Sequence, residues 1–185
     1  FLIGRKMKKI LLLTVILLLQ PIYSADKRIA DFANECSALF LLMTMISDDQ
    51  FKAFSDYMSQ LSETMGLITA GIAEENDKIL TNGELIDARN IQADRIIAMY
   101  QRNPTTVLGL YARCDNFREN FAYAAMQNPN NDSELLNSLS MPPNKVSMSE
   151  QKTALIEMAL EASFADMQAA GIYSIVEFYK KLRNP

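Results

Sequence analysis

Apolar residues recur at spacings of three and four along most of the chain, which is the pattern of one face of an α-helix. No stretch alternates with a period of two for long enough to predict a strand. Clusters of Asn, Gly, Pro and Ser interrupt the helical pattern and mark its breaks. The pattern predicts five helices, over about 26–46, 51 to a break near Asn82, 84–102, 104–127 and 150–182.

Three of the predicted helix starts carry a capping box, in which Ser or Thr is followed three positions later by Glu or Gln. The pairs are Ser47 with Gln50, Thr81 with Glu84, and Ser147 with Glu150. Segment 128–149 is dense in Asn, Ser and Pro and is a predicted loop. Because the other connections are short, consecutive helices are expected to pack antiparallel. The sequence thus predicts an all-α, bundle-like single domain over 25–185.

The first residues carry the features of a bacterial-type secretory signal peptide. Lys8 and Lys9 precede the apolar run 10–19, and small residues follow it. We expect cleavage after Ser24, so that residues 1–24 comprise upstream residues and the signal peptide. An uncleaved membrane anchor is the less favoured alternative, because a span needs roughly 20 apolar residues and this run has about half that. The expected location is the periplasm or the outside of the cell.

Removal of this segment would make the chain more acidic. Four of the 18 Lys and Arg residues and none of the 22 Asp and Glu residues lie before Ala25, so the net charge would change from −4 to −8. An acidic domain without a basic run repels phosphate backbones and anionic lipid head groups. We therefore expect no nucleic-acid partner, and no stable membrane anchor once the signal peptide is cleaved.

The two cysteines, Cys36 and Cys114, lie on the apolar stripes of the first and fourth predicted helices. Both stripes should face the same core, and an oxidising compartment favours a disulfide between them. Two reduced core residues are the alternative, and a redox pair is disfavoured because no Cys-x-x-Cys occurs. The disulfide would stabilise the fold by roughly 4–4.5 kcal/mol in the chain-entropy treatment.

The chain contains no histidine, and this excludes many common catalytic and metal sites. Ser-His-Asp and Cys-His nucleophiles, c-type haem attachment and the usual zinc and di-iron sites all require that residue. A calcium loop at 128–139 is disfavoured because Ser133 and Leu139 stand where glycine and an acid are needed, and a copper site is disfavoured because most Met residues lie on core stripes. We therefore predict no metal and no cofactor. Carboxylates remain: Glu157 and Glu161, with Asp166 nearby, lie off the apolar stripe of the last predicted helix. A hydrolase that uses only carboxylates is disfavoured, because a general acid or base needs a pKa shifted by its surroundings.

Aromatic and basic residues crowd the fourth predicted helix and form a candidate binding surface. Its members are Tyr111, Arg113, Phe117, Arg118, Phe121 and Tyr123. The alternative is that the aromatic residues belong to the core and the arginines flank them at the surface. Tyr and Arg are enriched in binding patches, so a groove for a peptide or an amphiphile is the sharper hypothesis.

Three functions stay open on the sequence. The first is an exported, non-catalytic helical protein that binds or interacts with a partner, such as another envelope protein. The second is a carrier that holds a small apolar ligand within its helical core, motivated by the Met-rich, wide apolar faces of the first two predicted helices. The third is the carboxylate-only hydrolase. The first is the least specific and is preferred.

Overall fold

The computed structural model describes residues 26–75, 80–126 and 150–183, and these residues form six α-helices and one short 3-10 helix, with no strand. The helices are α1 (Asp26–Leu42), the 3-10 helix (Asp49–Phe51), α2 (Lys52–Glu75), α3 (Asn82–Arg102), α4 (Pro104–Met126), α5 (Glu150–Ala169) and α6 (Ile175–Arg183). The predicted all-helical class is confirmed. The predicted signal peptide, the domain boundary after residue 24 and the predicted loop lie outside the described residues.

Helix α1 lies at the centre of the core, where it packs against α2, α3 and α4. Its Ala33, Cys36 and Leu39 are fully buried. The apolar stripe predicted for α4 is buried as well: Val107, Leu110, Tyr111, Cys114, Phe117 and Phe121. Each helix contributes one apolar stripe to the core. The hydrophobic effect therefore holds together helices that are far apart in the sequence.

The helix ends around residue 47 differ from the prediction. Helix α1 ends at Leu42, and Ser47 is not a helix cap, because its amide and hydroxyl both donate to the Asp166 carboxylate of α5, at 2.7 and 2.9 Å. The carboxylate of Asp48 accepts a hydrogen bond from the backbone amide of Gln50 at 3.0 Å and caps the 3-10 helix instead. At α3 the predicted capping box of Thr81 and Glu84 is confirmed.

The last predicted helix is in fact two helices, so the described residues contain six α-helices rather than five. Gly171 has a φ of 69°, a left-handed conformation that a helix cannot contain, and α5 ends before it at Ala169. Asp94 of α3 fixes the start of α6. Its carboxylate accepts from the Ile175 amide at 2.6 Å and from the Ser174 hydroxyl at 2.7 Å.

A disulfide joins Cys36 of α1 to Cys114 of α4, with their Cα atoms 5.4 Å apart, which confirms the predicted pairing. Such a bond is compatible with an extracellular or periplasmic protein. In the part of the chain that the structure describes, no helix has the length and apolar character needed to cross a membrane.

Candidate functional site

The six residues predicted as a binding surface do not share one exposed face. Four are buried and two are exposed: Tyr111, Phe117, Arg118 and Phe121 are buried, whereas Arg113 and Tyr123 are exposed. The ring of Phe117 packs edge-on against Phe32 of α1, with centroids 5.3 Å apart. The aromatic residues other than Tyr123 therefore belong to the core. Arg118, which was expected at the surface if it did not bind a ligand, is inside.

Burial of Arg118 depends on neighbouring carboxylates. Its guanidinium pairs with Asp115 at 2.9 Å and with Glu119 at 3.2 Å. The side chains of Arg118 and Asp115 are only 5% and 12% exposed. The guanidinium also faces Tyr57 of α2, a residue that the sequence did not single out. A buried charge is costly unless it is paired, and these pairs within α4 compensate the guanidinium.

The two tyrosines of this cluster resist ionisation. Burial raises the pKa of Tyr57 to about 12, and burial also raises the pKa of Tyr111. The positive charge of Arg118 opposes both shifts without cancelling them. The Tyr57 hydroxyl is buried and has no hydrogen-bond partner among the described residues. Both phenols therefore stay neutral at physiological pH, and neither is poised to take up or release a proton there.

Arg113 lies on the opposite side of α4 from this cluster, near Glu35 of α1. Burial raises the pKa of the Glu35 carboxyl, and the positive charges of Arg113 and Arg95 partly oppose that rise. Arg113 therefore compensates a half-buried acid. Arg113 lies beside a half-buried acid, whereas Tyr123 is 63% exposed, so these two exposed members of the predicted surface have different surroundings.

The carboxylates considered for catalysis are not gathered into a cleft. Glu157 and Glu161 are exposed on α5. The two hydrogen bonds from Ser47 hold the pKa of Asp166 below its usual range, which is the reverse of what a general acid requires. Within the described residues no cluster of three or more Cys, Asp or Glu side chains is arranged to hold a metal ion.

A concave surface lies between α1, α2 and α3, and we call it the α1–α3 groove. It has a volume of about 330 Å³ and is open to solvent on one side. Its surface is mostly apolar and includes Leu67, Leu85 and Ile86. Leu67 is 71% exposed. The remaining lining residues are polar or small: Asn34, Ser37, Ser62, Glu63, Gly66, Asn82 and Arg89.

Two serines at the bottom of the α1–α3 groove tie α1 to α2. The Ser37 hydroxyl donates to the Ser62 carbonyl at 2.7 Å, and the Ser62 hydroxyl donates to the Ser37 carbonyl at 2.8 Å. Both residues are buried. Since each hydroxyl hydrogen is already used, these serines fix the helix pair and offer little donor capacity to a ligand.

Arg89 of α3 supplies the positive charge of the α1–α3 groove. Within the described residues it forms no ion pair, and its one hydrogen bond is a long one of 3.5 Å from Nη1 to the Ser62 hydroxyl. Its Nε atom is buried without an acceptor. This arginine contrasts with Arg118, whose charge two carboxylates compensate. An uncompensated guanidinium beside apolar surface is suited to an anionic group.

A second groove of about 350 Å³ lies between α3 and α6. Asn90 lines it, and its side-chain oxygen Oδ1 is buried with no donor among the described residues. The charged groups around it are of both signs, since Asp87 faces Lys180 and Arg183 across the groove. Lys180 is already paired with Glu177 at 3.0 Å. This groove therefore presents no single charge preference.

Sequence reasoning missed the α1–α3 groove because its residues come from three helices. The available signal was Arg89 itself, because it lies one helical turn after the apolar residues Leu85 and Ile86 and two positions before Ile91.

We found no match between this chain and any protein-family model, any curated protein sequence or any solved structure. Function is therefore inferred from the geometry of the chain itself.

Proposed function

We propose that the protein is an exported, non-catalytic binding protein whose ligand occupies the α1–α3 groove. The observation that carries this proposal is Arg89, a guanidinium without an ion pair in the described chain, at the side of a mainly apolar groove. Ligand sites commonly combine apolar walls with a few polar groups that fix orientation. The exposed side chain of Leu67 completes such a wall.

The groove supports ligand binding better than the helical core does. Met43, Met58 and Met65, which motivated a carrier with an internal ligand, are fully buried among other core side chains. A ligand inside the core would have to displace such contacts, whereas the α1–α3 groove already opens to solvent. The disulfide between Cys36 and Cys114 supports the exported part of the proposal, since such bonds persist in oxidising compartments.

Native mass spectrometry of the full chain, recovered from a bacterial host that exports it, tests this function. The denatured polypeptide should begin at Ala25 and be two hydrogens lighter than the reduced mass. Under native conditions it should carry a discrete small-molecule adduct. Arg89→Gln and Leu67→Asn should lose the adduct, whereas Tyr123→Asn, which changes an exposed residue outside the groove, should keep it.

Each alternative has its own result. An adduct that survives both groove variants would place the ligand elsewhere on the protein. A parent protein without any adduct would contradict ligand binding and favour the interaction with another envelope protein. A retained N-terminus would contradict export by a cleaved signal peptide.

A further inference from the structure

The charge and shape of the α1–α3 groove narrow the class of ligand, provided that the groove is the binding site proposed above. We propose that it binds a medium-chain fatty carboxylate. The carboxylate contacts the terminal nitrogens of Arg89, and the hydrocarbon lies along Leu67, Leu85 and Ile86. Ligands of this class carry one negative charge at the end of an apolar chain.

The anionic group follows from the state of Arg89. Its Nε is covered by protein, so a ligand meets the two terminal nitrogens, which form a fork that matches the two oxygens of a carboxylate. Among the described residues, the one hydrogen bond that such a ligand would displace is the 3.5 Å contact with Ser62. A charge-assisted pair would be stronger than this long contact to a neutral hydroxyl.

A single negative charge fits better than a phosphate. The hydroxyl hydrogens of Ser37 and Ser62 are already donated to backbone carbonyls, so they do not add donors for further anionic oxygens. Glu63, exposed at the rim, adds a negative charge of its own. A group that carries nearly two negative charges would meet one guanidinium and one repelling carboxylate.

The length of the apolar part follows from the size of the groove. A groove volume of about 330 Å³ is at the small end of the range for ligand pockets, roughly 300–1,000 Å³. It suits a hydrocarbon chain of medium length, and because the groove is open to solvent, the far end of a longer chain would lie in water. The walls are leucine and isoleucine side chains without aromatic rings, which suits a flexible aliphatic chain.

Titration of the isotopically labelled, oxidised full chain with octanoate, followed by nuclear magnetic resonance, tests the proposal. Octanoate should shift the amides of α1, α2 and α3 that line the groove, and no others to the same degree. Octanol, which has the same chain without the charge, should bind about tenfold more weakly, because it lacks the charge-assisted hydrogen bonds. Butyrate, which has four fewer CH₂ groups to bury, should bind roughly a hundredfold more weakly.

Variants separate the charge from the walls. Arg89→Gln should weaken octanoate about tenfold and leave octanol unchanged. Arg95→Gln, which removes an exposed arginine from the same helix, should change neither. Glu63→Gln should strengthen octanoate about twofold by removing the repelling carboxylate, again without effect on octanol. Circular dichroism checks that each variant is folded. If Arg89→Gln does not fold, Glu63→Gln still tests whether charge controls binding.

The outcomes distinguish this ligand class from the proposed function. Equal binding of octanoate and octanol would overturn recognition by Arg89. If octanoate causes no shifts while a groove-dependent adduct is found by mass spectrometry, the groove binds a ligand but fatty carboxylates are wrong. If neither is seen, both proposals fail.

Discussion

Two buried residues that interact electrostatically, Tyr57 of α2 and Arg118 of α4, show how burial and polarity compete. Arg118 keeps its charge inside the protein because Asp115 and Glu119 compensate it. The hydroxyl of Tyr57, which interacts electrostatically with Arg118, is buried and finds no acceptor or donor in the described part of the chain. A buried hydroxyl without a partner loses its hydrogen bonds to water and regains none. Tyr57 therefore contributes packing through its ring and opposes folding through its oxygen.

Tyr57→Phe should raise the free energy of unfolding by about 1 kcal/mol, because the ring stays and the unpaired hydroxyl is removed. Urea denaturation measures the change. Tyr123→Phe is the matched control, since Tyr123 is 63% exposed and its hydroxyl is in water; its stability should stay within about 0.5 kcal/mol of the parent. A loss of stability in Tyr57→Phe would show that the hydroxyl has a partner in solution, such as a bound water.

The sequence assigns apolar residues to the core more easily than charged residues. Cys114, Phe117 and Phe121 follow the helical period and are buried, which agrees with the core alternative for the two aromatic residues. Arg118 was expected on the surface because an isolated arginine is costly to bury. The sequence did contain a signal, since Asp115 precedes Arg118 by three positions, a spacing at which helical side chains meet.

Side-chain contacts between helices decide where several elements begin and end. Asp94 of α3 accepts hydrogen bonds at the start of α6, and Asp166 of α5 accepts two from Ser47 after α1. Each carboxylate thus fixes a segment next to a helix end, through hydrogen bonds that capping rules based on neighbouring residues do not predict. The link formed by Asp166 spans 119 positions in sequence.

Asp166→Asn should lower the melting temperature at pH 7, because the carboxylate that accepts both Ser47 hydrogen bonds is replaced by a weaker acceptor. The pKa of Asp166 is lower in the folded protein than in the unfolded chain. Its contribution is therefore present above the unfolded pKa, near 3.8, and is lost as the pH falls through the folded value. Thermal melts of parent and variant from pH 7 to pH 2 should converge at the acid end.

Asp31→Asn serves as the control for that experiment, because Asp31 is exposed on α1. It should melt close to the parent across the whole range. A difference between Asp166→Asn and the parent that stays constant down to pH 2 would contradict the assigned role of the ionised carboxylate.

Helix boundaries show what a local pattern misses. The division of the last predicted helix into α5 and α6 has a sequence signal in Ser174 and Glu177, a capping pair inside an apparently continuous stripe. The Glu177 amide does donate to the Ser174 hydroxyl, at 3.2 Å. The apolar period across Gly171 concealed this start, because Ile172 and Val176 continue the spacing of α5.

The whole molecule is tied together by the disulfide between α1 and α4. Cys36 and Cys114 are 78 positions apart and both are fully buried. A covalent link over such a distance restricts the unfolded chain, and the chain-entropy treatment gives a stabilisation of roughly 4.5 kcal/mol. Because α1 is central to the core, this link restrains the element that most other helices contact.

Replacing either cysteine with serine should lower the melting temperature, and each single variant should match the double variant, because either change removes the same bond. Thermal unfolding of Cys36→Ser, Cys114→Ser and the double variant under non-reducing conditions measures this. Reduction of the parent protein should bring its stability close to that of the variants. A double variant as stable as the oxidised parent would contradict a stabilising role for the disulfide.

The sequence by itself determined the helical class, most of the buried stripes and the pairing of the two cysteines, because each depends on local periodicity or on a single possible partner. The signal peptide and export stay predictions from the sequence alone. Tertiary structure decided that Arg118 is buried with its carboxylates, that Asp94 and Asp166 hold distant chain ends, and that Arg89 lies beside an apolar groove. Such features arise where residues far apart in sequence meet, and helical periodicity fixes which face a residue occupies but not which other helix that face contacts.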